Sequence, residues 1–262
     1  MDLELEGSVA LVAVSSRGLG KATARALARE GAGVVVNGRT EATIDETVAE
    51  LADVGPGRVV GVPADLTVAE DVDRLVDETV EAFGRLDHLI TNAGGPASAP
   101  VRRTTEADWI GAYELLVLSA VRLVWAAAEH LERDGGTITM IASRAVEEAV
   151  PNNPLSNSVR MGVVGLGKTL SMELAPAVRT NAVLPGAHAT DRIRELAEQK
   201  IERGEIDTVQ DDIDERTEAI PLDRLGDPIE LGNAIAFLCS PRAGFVNGET
   251  ITVDGGRTRA TL

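Results

Sequence analysis

Short, continuous apolar runs alternate with longer segments of helical spacing along almost the whole chain. Ser8–Val14 is apolar nearly throughout, the pattern of a strand buried on both faces. Leu19–Glu30 follows with helical spacing and stops at Gly31. The same alternation predicts strands at Gly33–Asn37, Arg58–Val62, Leu86–Thr91, Gly136–Ala142, Arg179–Leu184 and Glu249–Val253. It predicts helices at Glu41–Val54, Val68–Phe83, Leu155–Ala177 and Pro228–Ser240. Thr105–Arg133 reads as one long helix or two, and Thr190–Ala219 as charged and helical.

Such alternation implies the α/β class, a doubly wound parallel sheet of about seven strands with helices on both faces. No internal repeat, low-complexity tract or flexible linker interrupts it, so residues 1–262 are expected to form a single domain. Within it, residues from about 190 to 222 are the expected small helical lid. Ile193, Leu196, Ala197 and Ile201 make one apolar stripe on a charged helix, suited to docking over a site mouth. The distal half, Gly204–Glu215, reads equally as a charged surface excursion.

Charge narrows the partners. A net charge of −17 and a pI near 4.6 exclude a nucleic-acid polyanion and an anionic membrane surface. Only Lys21, Lys168 and Lys200 among the 25 basic residues are lysine, and aromatics make up 2%. This composition resembles that of a salt-adapted cytoplasmic protein, whose carboxylates repel one another until salt screens them. The sole cysteine, Cys239, excludes an internal disulfide, fits a reducing cytosol and falls in an apolar helical pattern expected to be core. No apolar run reads as long enough to span a bilayer. The opening Met1-Asp2-Leu3-Glu4-Leu5-Glu6 lacks the layout of a signal peptide.

The first strand runs into Ser15-Ser16-Arg17-Gly18-Leu19-Gly20 and then a helix. Glycine lets backbone approach a pyrophosphate, and the helix N-terminus offers free N–H groups and a positive dipole end. The second strand ends Val36-Asn37-Gly38-Arg39, without the acid that holds the ribose hydroxyls of NAD. Arg39, with Arg17 in the adjacent turn, is placed to pair with a 2′-phosphate. NADP(H) is therefore favoured over NAD(H), in a Rossmann-type fold.

Further motifs carry a resemblance over roughly Leu5 to Gly256. Ala64-Asp65-Leu66-Thr67, Asn92-Ala93-Gly94, Asn181-Ala182-Val183-Leu184-Pro185-Gly186 with Thr190, and Phe237-Leu238, Gly248 and Asp254-Gly255-Gly256 occur in shared order and spacing. The chain resembles the short-chain dehydrogenase/reductase family, which includes the 3-oxoacyl-acyl-carrier-protein reductases. The resemblance implies an adenine contact at Asp65, a nicotinamide contact around Pro185, Gly186 and Thr190, no metal, and a homotetramer with the two long helices forming an interface.

Four features depart from the family pattern. Its turn begins Thr-Gly where this chain has Ala13-Val14, and a valine there is expected to send the phosphate loop along another path, with Ser15 and Ser16 supplying hydroxyl contacts. Its helix-borne Asn falls near Leu116. Its Tyr and Lys fall on Ser156 and Arg160. Ser143 precedes Ser156 by thirteen positions and Arg160 follows by four, so the spacing of the Ser…Tyr-x-x-x-Lys relay is kept while only Ser143 is unchanged. Serine is a far weaker acid than a phenol, and arginine stays charged. Ser143 is expected to orient substrate, Ser156 to hold substrate or a relay water, and Arg160 to grip the cofactor ribose. His188 is a candidate proton donor, weighed against a solvent-facing loop histidine. Glu147 and Glu148 read as surface, and Tyr113 as a packing residue. His88 and His130 receive no role.

Three functions fit: an NADP(H)-dependent oxidoreductase on a carbonyl or alcohol of a small-molecule or acyl substrate, a lyase resembling the halohydrin dehalogenases, or a nucleotide-binding sensor or partner subunit without turnover.

Overall fold

The computed structural model describes residues 2–261, apart from the side chain of residue 134. Residues 1 and 262, the ends of the expected domain, lie outside it. Seven parallel strands form one sheet: β1 Val9–Val12, β2 Gly33–Gly38, β3 Val59–Pro63, β4 His88–Thr91, β5 Gly136–Ile141, β6 Val178–Pro185 and β7 Thr250–Val253. Their spatial order is β3-β2-β1-β4-β5-β6-β7. The chain winds outward from β1 to β3, returns to place β4 beside β1, and winds outward the other way. The reversal leaves a crevice beyond the carboxyl ends of β1 and β4, where ligands of such sheets bind.

Both sheet faces are covered because both are apolar. On one face Leu11, Leu89, Ile138 and Met140 pack with Leu75, Leu123 and Val163. These come from α3 Ala69–Phe83, α5 Ser119–Asp134 and α6 Pro154–Glu173. On the other, Val12, Val34, Ile90 and Val183 meet Leu27, Ile44, Leu231 and Ile235, from α1 Gly18–Arg29, α2 Glu41–Leu51 and α9 Pro228–Cys239. Cys239 is buried here as expected, and burial lifts its thiol pKa to about 11.

Thr105–Arg133 resolves into α4 Glu106–Tyr113, a π-helical turn at Glu114–Leu118 and α5. A Thr105–Asp108 capping box starts it. Glu106–Arg133 is, against expectation, long and apolar enough by length and composition to cross a membrane. Its apolar side is instead packed on the sheet, where Leu116, Leu123, Ala127 and Leu131 are buried. Tyr113, expected to pack, is more than half exposed.

Residues 190–222 hold α7 Asp191–Glu202 and α8 Val209–Glu218. Ile193 and Ala197 of the apolar stripe are buried, Leu196 and Ile201 partly so. The distal half is more than a surface excursion. Asp212 of α8 is fully buried and clamped by Lys200 Nζ at 2.6 Å and Arg216 Nε at 2.5 Å.

Candidate active site

The turn after β1 admits valine in a conformation that glycine would adopt freely. Val14 sits at φ 48, in the left-handed region that costs an L-residue about 1–2 kcal/mol. Three bonds hold it there. Asn37 Oδ1 accepts the Val14 N–H at 3.1 Å, Asn92 Nδ2 donates to the Val14 carbonyl at 3.2 Å, and Ser15 N–H donates to the Asn37 carbonyl at 2.7 Å. Gly20 completes the fit, because a Cβ there would lie 2.2 Å from the Val14 carbonyl oxygen.

This geometry corrects the expected role of Ser15. It is fully buried, and its hydroxyl donates to the Val12 carbonyl and accepts from the Asn37 N–H. Ser15 shapes the turn from inside and does not face the crevice. Ser16 is partly buried and Arg17 exposed. α1 starts at Gly18-Leu19-Gly20 with no side-chain cap and no acid in its first turn, so its N-terminal N–H groups are left for an anion.

At the end of β2, Arg39 is exposed. It lies close enough to Asp65 to help lower that carboxyl's pKa, although the main cause is donation from the backbone and hydroxyl of Thr67. Leu66 is buried beside Asp65. Asn92, Ala93 and Gly94 follow β4 across the crevice. The fit to an anionic nucleotide is therefore good on three counts: an uncapped helix N-terminus, an arginine beside Asp65, and a left-handed turn fixed from below.

Ser143 follows β5, and its Oγ accepts the Ala145 N–H at 3.2 Å. α6 begins with Pro154 at its first turn, and Ser156 and Arg160 lie one turn apart, both buried. Arg160 donates to the carbonyls of Ala142 at 3.1 Å, Ile141 at 3.5 Å and Ala93 at 3.4 Å. Its guanidinium thereby ties β5, immediately before Ser143, to the loop after β4. Burial, and then the charge of Arg192, lower its pKa to about 10, which leaves it cationic at neutral pH. Leu116, on the π turn, lines a small cavity with Arg160, Ser119 and Asn92. Asn157 exchanges two bonds with the backbone of Val150 and so pins the loop after Ser143 to α6.

His188 is not solvent-facing. It is 4% exposed, its Nδ1 lies 3.2 Å from the Gly186 carbonyl, and its ring fills the space a Gly226 side chain would need. Burial lowers its pKa, and the charged groups that act on it are Glu230, Asp227 and Arg224 at the head of α9. Glu147 accepts from Thr252 and Glu148 pairs with Arg144.

Two residues were overlooked by the reading of the sequence. Arg192 donates to the Pro96 carbonyl at 3.3 Å and to Glu195 at 3.1 Å, and Glu195 lies 3.7 Å from Arg17. Together they link α7 across the crevice to both of its walls. The position of Arg192, two residues beyond Thr190, was the available signal. A cavity of about 640 Å³ lies to one side of Ser143, Ser156 and Arg160, between α1, α7, α8 and the head of α9, and reaches Gly18 and Thr190.

A family model described as enoyl-(acyl carrier protein) reductase matches residues 13–258. An uncharacterized oxidoreductase of Methylorubrum extorquens is 32% identical over 256 residues, covering 97% of this chain and 98% of the relative. The short-chain reductase protein NovJ of Streptomyces niveus is 34% identical over 252 residues, covering 95% and 94%. Among solved structures, L-sorbose reductase from Gluconobacter frateurii, complexed with NADPH and L-sorbose, superposes with a TM-score of 0.93 at 30% identity over 99% of this chain and 100% of that one. A 7α-hydroxysteroid dehydrogenase complexed with NADH and 7-oxo glycochenodeoxycholic acid gives 0.88 at 30% identity, over 100% and 98%.

Proposed function

The chain belongs to the short-chain dehydrogenase/reductase family of oxidoreductases, and from that premise we propose an NADP(H)-dependent enzyme that reduces a carbonyl or oxidises an alcohol through a modified Ser143/Ser156/Arg160 site. The observation that carries this reading is the left-handed turn at Val14, held by Asn37 and Asn92 although its own residue disfavours it. Strain of this kind persists where the surrounding structure over-determines it, as at ligand clamps.

In this reading Ser16, Arg17, Gly18, Leu19 and Gly20 cradle the pyrophosphate, Arg17 and Arg39 take the 2′-phosphate, and Asp65 with Leu66 flanks the adenine. Asn92, Ala93, Gly94, Pro185, Gly186 and Thr190 enclose the nicotinamide half. The bound nucleotide supplies hydride chemistry. Ser143 keeps its hydroxyl proton free to donate to a substrate oxygen, because its Oγ already accepts from Ala145. Ser156 holds the same oxygen or a water that carries the proton. Arg160, its guanidinium engaged by the carbonyls of Ile141, Ala142 and Ala93, supports the ribose side of the site from beneath, sets its electrostatics and does not exchange protons. L-Sorbose reductase, complexed with NADPH, supports the choice of cofactor by likeness.

Residues 190–222 act as the lid in this proposal. Exposed Ile110, Tyr113, Trp125, Met161 and Met172 on the two long helices support a homotetramer, and the composition supports a salt-adapted cytoplasmic setting. The test is a screen of ketones and 3-oxoacyl substrates with NADPH in high salt, repeated with Arg160→Met. Turnover lost in the variant is the expected result. NADPH binding without any turnover favours the sensor, and halide release from a halohydrin without nucleotide binding favours the lyase.

A further inference from the structure

We propose that Arg192 is the counter-ion for an anionic group on the substrate, so that the site takes a carbonyl acid or hydroxy acid in preference to a neutral ketone or alcohol. This rests on the oxidoreductase reading above and narrows its substrate class.

Arg160 and Arg192 grip one loop from two sides. Arg160 Nη2 donates to the Ala93 carbonyl at 3.4 Å, and Arg192 Nη2 to the Pro96 carbonyl at 3.3 Å. A Cβ at Gly95, between them, would stand 3.4 Å from the Arg192 guanidinium. Arg192 thus covers the loop from the lid while Arg160 is buried beneath it, and the two are near enough for one charge to weigh on the other.

Arg192 has capacity to spare. Of the five donors of a guanidinium, two are engaged, one by a carbonyl and one by Glu195. Among the described residues Glu195 is its one acidic partner, and that carboxylate also lies near Arg17. The Arg192 side chain is 38% exposed, so solvent and ligand reach it. Arg192, with the buried Arg160 beneath the same loop and a surface carboxylate it shares with Arg17, leaves a locally cationic spot in a chain of net charge −17. A planar fork at such a place suits a carboxylate, which it binds through two parallel bonds. A neutral hydroxyl would leave the fork half used.

The test uses the full chain saturated with NADPH and a matched pair of probes, acetoacetate and acetoacetamide, which differ in one charge at neutral pH. Acetoacetate is expected to be reduced with a kcat/KM about ten-fold or more above the amide. Arg192→Met should abolish that preference without changing the NADPH Kd, and Arg192→Lys should keep part of it. Equal use of both probes by the native chain, or a preference for the amide, overturns the inference. So does an Arg192→Met variant that loses NADPH affinity and keeps the preference, since Arg192 then serves the nucleotide phosphates. Reduction of a neutral ketone with neither probe reduced also overturns it and leaves the oxidoreductase reading standing. No reduction of any carbonyl with NADPH bound removes that reading and the inference with it.

Discussion

Asn37 Oδ1 accepts the N–H of Val14 at 3.1 Å while its Nδ2 donates to the carbonyls of Val62 and Ala64, each at 3.3 Å. One buried amide thus joins β2, the end of β3 and the turn after β1. The position is fully enclosed, so an acid there would face two carbonyl oxygens, which accounts physically for an amide at this point of β2.

Asn37→Ala removes one acceptor and two donors from a dry site. It is expected to destabilise the fold by about 2–4 kcal/mol, since each unsatisfied buried group costs about 1–3 kcal/mol. Val14→Gly should do the opposite: relief of about 1–2 kcal/mol of left-handed strain exceeds the added flexibility of glycine, about 0.5–1 kcal/mol. Denaturant unfolding of both variants checks the pair. A destabilised Val14→Gly would mean that the valine side chain, not the bonds from Asn37 and Asn92, holds the turn.

His188 and Gly226 are fitted to each other. Gly226→Ala would bring a Cβ to 2.6 Å from His188 Cδ2, overpacking of the kind that costs about 1–3 kcal/mol. His188→Ala should lower Tm and leave kcat at saturating NADPH unchanged. Loss of turnover in a His188→Ala protein that remains folded would restore this histidine as proton donor.

Much of the fold was legible because its determinants are local. The strands follow apolar runs, and the helices keep their period over most of their length. The turn at Val14 was not legible, since valine on its own opposes φ 48 and the bonds that impose it come from Asn37 and Asn92. Tyr113 and His188 exchanged their expected surroundings for the same reason. Helix rotation turns Tyr113 outward, and the absence of a side chain at Gly226 makes room for the histidine. The burial of Asp212 depends on Lys200, from the neighbouring helix. In the candidate site, Ser143, Ser156 and Arg160 are singled out by the spacing they share with the family's relay, and their roles belong to the proposal above. The carbonyls that Arg160 holds, and the reach of Arg192 across the crevice, are properties of the assembled sheet.

His88 makes stability depend on pH. It is buried in β4 with Nδ1 2.9 Å from Thr137 Oγ1 and no partner for Nε2 among the described residues. Burial is the main cause that takes its pKa from 6.5 to about 4, with Arg179 and Arg85 acting in the same direction and Asp87 against. The unfolded chain therefore binds this proton more readily than the native one. The contribution is fully present above the unfolded pKa of 6.5 and is lost as pH falls towards about 4. Thermal melts of the native chain and His88→Asn across that window should show the steeper decline in the native chain. Parallel curves would show that acid sensitivity arises elsewhere.

A chain with 42 acidic against 25 basic residues gains from screening. Tm is expected to rise steadily from dilute buffer to molar potassium chloride. Full stability in dilute buffer would remove salt adaptation from the account of this composition.

The most direct measurement is calorimetric titration of the protein with NADPH and, separately, NADH, alongside an Arg17→Ala/Arg39→Ala variant. NADPH is expected to bind the native chain more tightly than NADH, and the double variant to lose that difference while still binding NADH. Failure of the native chain to bind either nucleotide would contradict the assignment of the crevice beside β1.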